Sequence, residues 1–155
     1  MPVVDLPELP AALPPMSPIV GLDLGEKTIG VAVSDVTRLI ASPAALIRRV
    51  KFTEDATRLF RLMDDRRAQG LIIGLPVNMD GTEGPRCQSC RAFARNLLRL
   101  RNELVIAFWD ERLSSVAVNR MLIDEADVSR SRRGALVDKA AAAFILQGAL
   151  DRLGG

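Results

Sequence analysis

Apolar residues fill positions 19–24 except for Gly21 and Asp23, and after a polar turn at 26–28 Ile29, Val31 and Val33 recur at every second position. That alternation is the period of a half-buried strand, so the two stretches predict a hairpin, with a third strand over 39–47. Ala56, Leu59, Phe60 and Met63 then fall at i, i+3, i+4 and i+7, which predicts an amphipathic helix over 53–69 ended by Gly70. The short apolar run 71–75 reads as a parallel strand covered on both faces. After a loop over 76–83, Gly84-Pro85 sets proline at the first position of a helix that runs to about Leu100. A strand over 104–109, a short helix capped by Ser114 and reaching about Ile123, and a long helix over 134–153 complete the pattern. The order β-β-β-α-β-α-β-α-α predicts an α/β fold with a mixed five-stranded sheet flanked by helices.

Six of the nine prolines lie in the first eighteen residues, where missing amide donors oppose regular structure. Residues 1–17 are therefore expected to form a flexible proline-rich tail, and 18–155 a single domain. With 155 residues, 48% of them hydrophobic and 26% charged, one core suffices. No apolar run approaches a membrane span, and Asp5 and Glu8 stand where a signal peptide would be basic. The expectation is a soluble cytoplasmic protein with no membrane partner.

The chain contains no histidine, which removes Ser-His-Asp and Cys-His nucleophile systems and His-bearing zinc sites together. Acid–base or metal chemistry must rest on carboxylates. The net charge of +2 does not point to a nucleic-acid partner, but 18 of the 21 basic residues are arginine, the group that grips phosphate bidentately. A high-GC genome would favour arginine as well. Cys87 and Cys90 form a lone C-Q-S-C without the second pair that zinc requires, and read as two buried thiols one helical turn apart.

Three places could carry chemistry. Strand alternation puts Asp23 on one face with Gly21 and Gly25, and Val20, Leu22 and Leu24 on the other. A carboxylate on such a cleared strip of backbone has room for a metal ion and a phosphate, the alternative being a solvated acid on an edge strand. Asp138 lies along an apolar helical stripe with Ala141, Ala142 and Ile145, where it must be protonated, paired or bound to a cation. Asp110 and Glu111 close the strand ending at Trp109; they face opposite sides, and spacing does not choose between them. Carboxylates on separate elements suit hard cations, Mg²⁺ or Mn²⁺, and metal-assisted phosphoryl transfer.

The strand-to-helix loop could hold an anion at the helix N-terminus, with Asn78 and Thr82 adding polar contacts. Beyond it, Arg91, Arg95 and Arg99 follow at i, i+4 spacing with no acid among them, a stripe that suits either a phosphate backbone or solvent. Arg130, Arg132 and Arg133 form a second basic cluster ahead of Asp138.

At these residues the chain resembles the YqgF family of RuvC-like proteins, described both as Holliday-junction resolvases and as pre-16S rRNA nucleases. The motifs are Gly21-Leu22-Asp23-Leu24-Gly25 with Gly30-Val31-Ala32-Val33-Ser34-Asp35, Gly74-Leu75-Pro76 with Asp80-Gly81-Thr82-Glu83-Gly84-Pro85, Asp110-Glu111-Arg112-Leu113-Ser114, and Val137-Asp138-Lys139-Ala140-Ala141. The resemblance covers everything but the proline-rich start. It implies a ribonuclease H-like fold, acidic site positions at Asp23, Glu111 and Asp138, and nuclease activity on structured nucleic acid, in bacteria the maturation of pre-16S rRNA on the way to the small ribosomal subunit. It thereby chooses Glu111. One departure is Gly134-Ala135, where many members carry basic residues. The mechanism expected is a two-metal displacement, with Arg112 and the helix start near Pro85 positioning phosphates.

Three rivals stand beside that expectation. The 21–25 segment also resembles the first phosphate loop of actin-like ATPases and sugar kinases, but 155 residues supply one lobe where those proteins close two. A resolvase of DNA four-way junctions would need paired sites and hence a dimer. A non-catalytic module that binds rRNA through its arginines is the third. Oligomeric state is not legible in the chain.

Overall fold

The computed structural model describes residues 3–113 and 130–154, with side chains in the last helix from Ala140 onward. Its strands are β1 (Ile19–Leu24), β2 (Thr28–Ser34), β3 (Ala41–Arg48), β4 (Gly70–Leu75) and β5 (Val105–Asp110), and its helices α1 (Phe52–Arg66), α2 (Pro85–Leu100) and α3 (Arg130–Gly154). They form one five-stranded sheet in the order β3-β2-β1-β4-β5. The three leading strands pair antiparallel, whereas β4 joins β1 and β5 joins β4 in parallel. This is the mixed sheet expected, because hairpin turns give antiparallel neighbours and helical crossovers give parallel ones.

The sheet separates two apolar layers. On one face Val20, Leu22, Leu24, Leu71 and Ile73 pack with Ala56, Leu59 and Met63 of α1 and with Phe93 and Leu97 of α2. On the other, Ile19, Ala32, Ile72, Ala107 and Trp109 pack with Ala141, Ala142, Ile145, Leu146 and Ala149 of α3. From Ala141 to Leu150 no residue of α3 is exposed, so this helix is enclosed nearly all round, as its unbroken apolar run implies. Gln147 pins it to the start of β3, accepting from the Ala41 amide at 2.9 Å and donating to the Leu39 carbonyl at 2.9 Å.

Two expectations need correction. The opening segment, expected to be flexible, forms 3-10 turns at Leu6–Glu8 and Pro10–Ala12. Val3 bridges to Ile106 beyond the β5 edge, and Leu9 and Leu13 are buried against the α3 layer. Proline at the second position of the first turn and the first position of the second is compatible with the geometry, since the missing amide is one that such a turn leaves unpaired, and the two leucines supply the burial. Second, Gly70 does not end α1. The helix stops at Arg66, followed by Arg67 in the left-handed conformation at φ 57°. Gly70 opens β4 and leaves room for Leu13, whose Cδ1 would lie 2.6 Å from a Cβ there.

Helix α3 begins four residues ahead of its expected start and accommodates Gly134 within it. The short helix expected from Ser114 to about Ile123 lies outside the described residues. Asp35, at the end of the first family motif, organises the β2–β3 turn. Its carboxylate accepts from the Ile40 and Leu39 amides and the Thr37 hydroxyl, which brings its pKa down to about 2. Among the described residues no helix is long and apolar enough to cross a membrane.

Cys87 and Cys90 are free thiols buried between α2 and the sheet, as their spacing predicts. Burial raises the pKa of both, Cys90 to about 11, so each stays a neutral thiol near neutral pH. A thiol-exchange reagent is therefore expected to label both only after guanidinium unfolding. Fast labelling of the native protein would contradict that placement.

Candidate active site

The site grows from the alternation of β1. With Val20, Leu22 and Leu24 committed to the α1/α2 layer, Gly21 and Asp23 face the α3 side. Helix α3 lies directly on Gly21, where an added Cβ would come 2.7 Å from Leu146 Cβ and 3.3 Å from the Ala142 carbonyl. One step along, Asp23 is 5% exposed. Its β2 partner in register is Gly30, which has no side chain to crowd it.

On the other side of β1, the parallel register pairs Leu22 with Ile73, and continuing it by one residue sets Asp23 beside Gly74. A Cβ on Gly74 would meet Ile145 Cδ1 at 2.6 Å and Glu111 Cγ at 3.3 Å. Glu111 starts the 3-10 turn Glu111–Leu113 that follows β5, and its side chain folds over Gly74. Asp23 and Glu111 thus approach the same glycine from either side. They do so at the carboxyl ends of the parallel strands, where α/β sheets characteristically place their ligands.

Asp110 goes elsewhere. Arg112 Nη2 donates to its Oδ2 at 2.7 Å, Arg112 Nε lies 3.1 and 3.0 Å from its two oxygens, and the Arg112 amide donates to Oδ1 at 2.9 Å. These hydrogen bonds lower the Asp110 pKa and raise that of Arg112. The two neighbouring acids part here: Asp110 is held by Arg112, and the Glu111 side chain lies against Gly74. Arg112 also reaches Met79 O at 3.5 Å, strapping the 76–83 loop to the end of β5.

Asn78 and Thr82, expected as phosphate contacts, tie that loop together. The Asn78 amide nitrogen donates to Thr82 O at 2.9 Å and its Nδ2 to Thr82 Oγ1 at 3.0 Å. Thr82 in turn donates through N and Oγ1 to Asp80 Oδ1, holding Asp80 below the usual carboxylate range. Gly81, at φ +90°, supplies the turn between them, a conformation that favours glycine.

The positions of Asp138, Arg132 and Arg133 fall within α3, but their side chains lie outside the described residues. Position 138 is one turn before Ala142 and two before Ile145, the residues that meet Gly21 and Gly74. Among the described residues no three metal-ligating side chains gather in one place. The pair Asp23 and Glu111 offers hard oxygen donors at neighbouring strand ends, a donor set that fits a divalent cation of the Mg²⁺ or Mn²⁺ kind.

Residues 17–152 match the family model described as "RuvX: Holliday junction resolvase". The chain belongs to this family. Among its relatives, the "Putative pre-16S rRNA nuclease" of Phenylobacterium zucineum (strain HLK1) is 72% identical over 153 residues, covering 99% of this chain and 98% of that protein. The protein of the same name from Caulobacter vibrioides (strain NA1000 / CB15N) is 64% identical over 155 residues, covering 100% and 99%. In structure the chain is similar to T. thermophilus RuvC in complex with Holliday junction substrate, with a TM-score of 0.51 at 12% identity over 89% of this chain and 96% of that one. At that identity the likeness speaks to the fold, which is the ribonuclease H-like fold expected.

In this RuvX-family chain one arginine of the α2 stripe is paired and two are solvated. Arg91 has an acid partner from the preceding loop, with Nε and Nη2 donating to the two Glu83 oxygens at 2.7 and 2.8 Å, and its guanidinium stacks 4.9 Å from the Phe108 ring centroid. Arg95 and Arg99 remain exposed. All three ride on α2, across the sheet from the face that Asp23 uses. Sequence reasoning missed Gly74 as the seat of Glu111. Its one signal was a glycine inside an otherwise apolar strand, which marks close approach without naming the neighbour.

Proposed function

We propose that this protein is a metal-dependent nuclease that processes the 5′ end of pre-16S rRNA during ribosome biogenesis in the cytoplasm. The observation that carries the reading is the convergence of Asp23 and Glu111 on Gly74, two carboxylates from distant parts of the chain brought to neighbouring strand ends, the first by strand register and the second by its side chain. The names carried by relatives at 72% and 64% identity over nearly the whole chain support RNA over a DNA junction as substrate.

Asp23 and Glu111 would hold Mg²⁺ or Mn²⁺, with Asp138 as third acid, in the manner of a two-ion site. When bound, the metal supplies electrophilic stabilisation of the phosphodiester oxygens and activation of the attacking water. The chain's own residues do the rest. Ile145 and Leu146 pack onto Gly74 and Gly21 and wall the site on the helix side, limiting bulk water. Arg112, secured by Asp110, holds the neighbouring loop in place and presents a cation at the edge of the site.

A cleavage panel in Mg²⁺ or Mn²⁺ tests the reading by offering a 5′-extended 16S precursor and a four-way DNA junction side by side. Cleavage of the precursor and little of the junction is expected. Cutting of the junction alone would transfer the assignment to a resolvase, and binding to the precursor with no cutting under any divalent ion would reduce it to an RNA-binding module.

A further inference from the structure

Across the end of β1 from Asp23 lies a cavity of about 610 Å³, bordered by Leu24 and Gly25, by the residues leading into α1, and by the first turn of α2. No step of the chemistry above uses it. Because side chains alternate, Asp23 faces the α3 side and Leu24, the next residue, faces this cavity, so the two spaces are separated only by the C-terminal edge of the strand.

Its lining has a specific chemical character. Arg49, Lys51 and Arg86 all border it and are all exposed. Arg49 is oriented by the Gly25 carbonyl, to which its Nη1 donates at 2.7 Å, and Arg86 Nη2 lies 3.5 Å from Leu24 O. Of the two acids on the wall, Asp55 is 2% exposed and its Oδ1 accepts from the Val50 amide at 3.1 Å, so its charge is turned into the α1 start. Glu26 is the one acid on the wall that is exposed. Phe52 also lines the cavity, steadied by an edge contact with Phe93 at 5.3 Å between ring centroids. Cations along a groove with an aromatic ring in its wall form the combination that holds single-stranded nucleic acid, the charges taking phosphates and the ring a base.

We propose that this cavity holds a nucleotide of the single-stranded RNA flanking the scissile phosphate, with Arg49, Lys51 and Arg86 on its phosphates and Phe52 against a base. The inference rests on the nuclease reading for which strand is bound, but its own observable is binding. A strand lying over Asp23 crosses the edge of β1 at Leu24 and Gly25 and enters the cavity directly. The site then reads substrate by its single-stranded character, because a base can reach Phe52 only when it is unpaired.

The test measures anisotropy of a labelled single-stranded RNA of precursor-leader sequence, with EDTA present so that no cleavage intervenes. The triple variant Arg49→Ala/Lys51→Ala/Arg86→Ala should bind at least tenfold more weakly, with a shallower dependence on salt by about two to three released ions. Phe52→Leu should weaken single-stranded RNA several-fold and leave a duplex of the same length unchanged. Lys51→Ala, at a site whose side chain is 67% exposed, cannot unfold the chain and should still weaken binding measurably. As comparison, Arg66→Ala/Arg99→Ala removes two exposed cations from the far ends of α1 and α2. Equal losses in the triple variant and this comparison, or parental affinity in the triple variant, would overturn the proposal. Run with Mg²⁺, the triple variant should raise KM with little change in kcat. Unchanged KM sinks the cavity and leaves the nuclease standing, whereas undiminished cleavage by Asp23→Asn sinks the nuclease and leaves RNA binding at the cavity to be judged on the anisotropy.

Discussion

Asp23→Asn should abolish precursor cleavage, lowering kcat by roughly 10³-fold while leaving RNA affinity in EDTA unchanged. Each factor of ten in rate corresponds to about 1.4 kcal/mol of transition-state stabilisation, and removing the charge that anchors a divalent ion is expected to forfeit roughly 4 kcal/mol. Asparagine keeps the shape of the side chain in a place where only 5% of the residue is exposed, so the fold should be retained and the circular dichroism spectrum should overlay that of the parent. Glu111→Gln should follow the same pattern, since its side chain rests over the same glycine. Asp110→Asn should not, because that carboxylate serves Arg112. Cleavage by Asp23→Asn at the parental rate in single-turnover conditions would mean that the carboxylates are structural.

Gly21→Val is expected to be the most disruptive single change to the fold. A Cβ at this position already falls 2.7 Å from Leu146 Cβ and 3.3 Å from a backbone carbonyl of α3, so the obstruction is the trunk of the helix and not the end of a flexible side chain. Two further methyl groups force α3 away from the sheet, and Ile145, Leu146 and Ala149 lose contact with Ile19, Ile72 and Trp109. A loss of roughly 3 kcal/mol is expected, which in a domain of this size lowers the melting temperature on the order of 10 °C. Activity should drop further than stability, because α3 also carries position 138. Gly154→Ala, with nothing within 4 Å of the new methyl, is the matched control and should melt with the parent. A Gly21→Val variant melting with the control would show that α3 is not seated on β1 as described.

Periodicity along the chain specified most of the architecture. The two-residue repeat of β2, the helical repeat over Ala56, Leu59, Phe60 and Met63, and Pro85 at a helix start are local signals, and local backbone and side-chain physics answers them directly. The absence of histidine and the placement of Asp23 between glycines confined the chemistry to carboxylates before any contact was known. Asp23 could be nominated because its own strand neighbours are near in sequence.

What periodicity could not supply are relations between residues far apart in the chain. Gly74 and Glu111 are adjacent because β4 and β5 pair in parallel, and Arg91 finds Glu83 because the loop folds back over α2. The proline-rich opening is held by Leu9 and Leu13 reaching a layer built mainly by α3, a contact that its composition argues against. The cavity at Arg49, Lys51, Phe52 and Arg86 likewise exists only once two helix starts and the β1–β2 turn are brought side by side. A strand's neighbour in a sheet is set by register and by the packing of whole layers, and those are properties of the assembled core that no window of sequence contains.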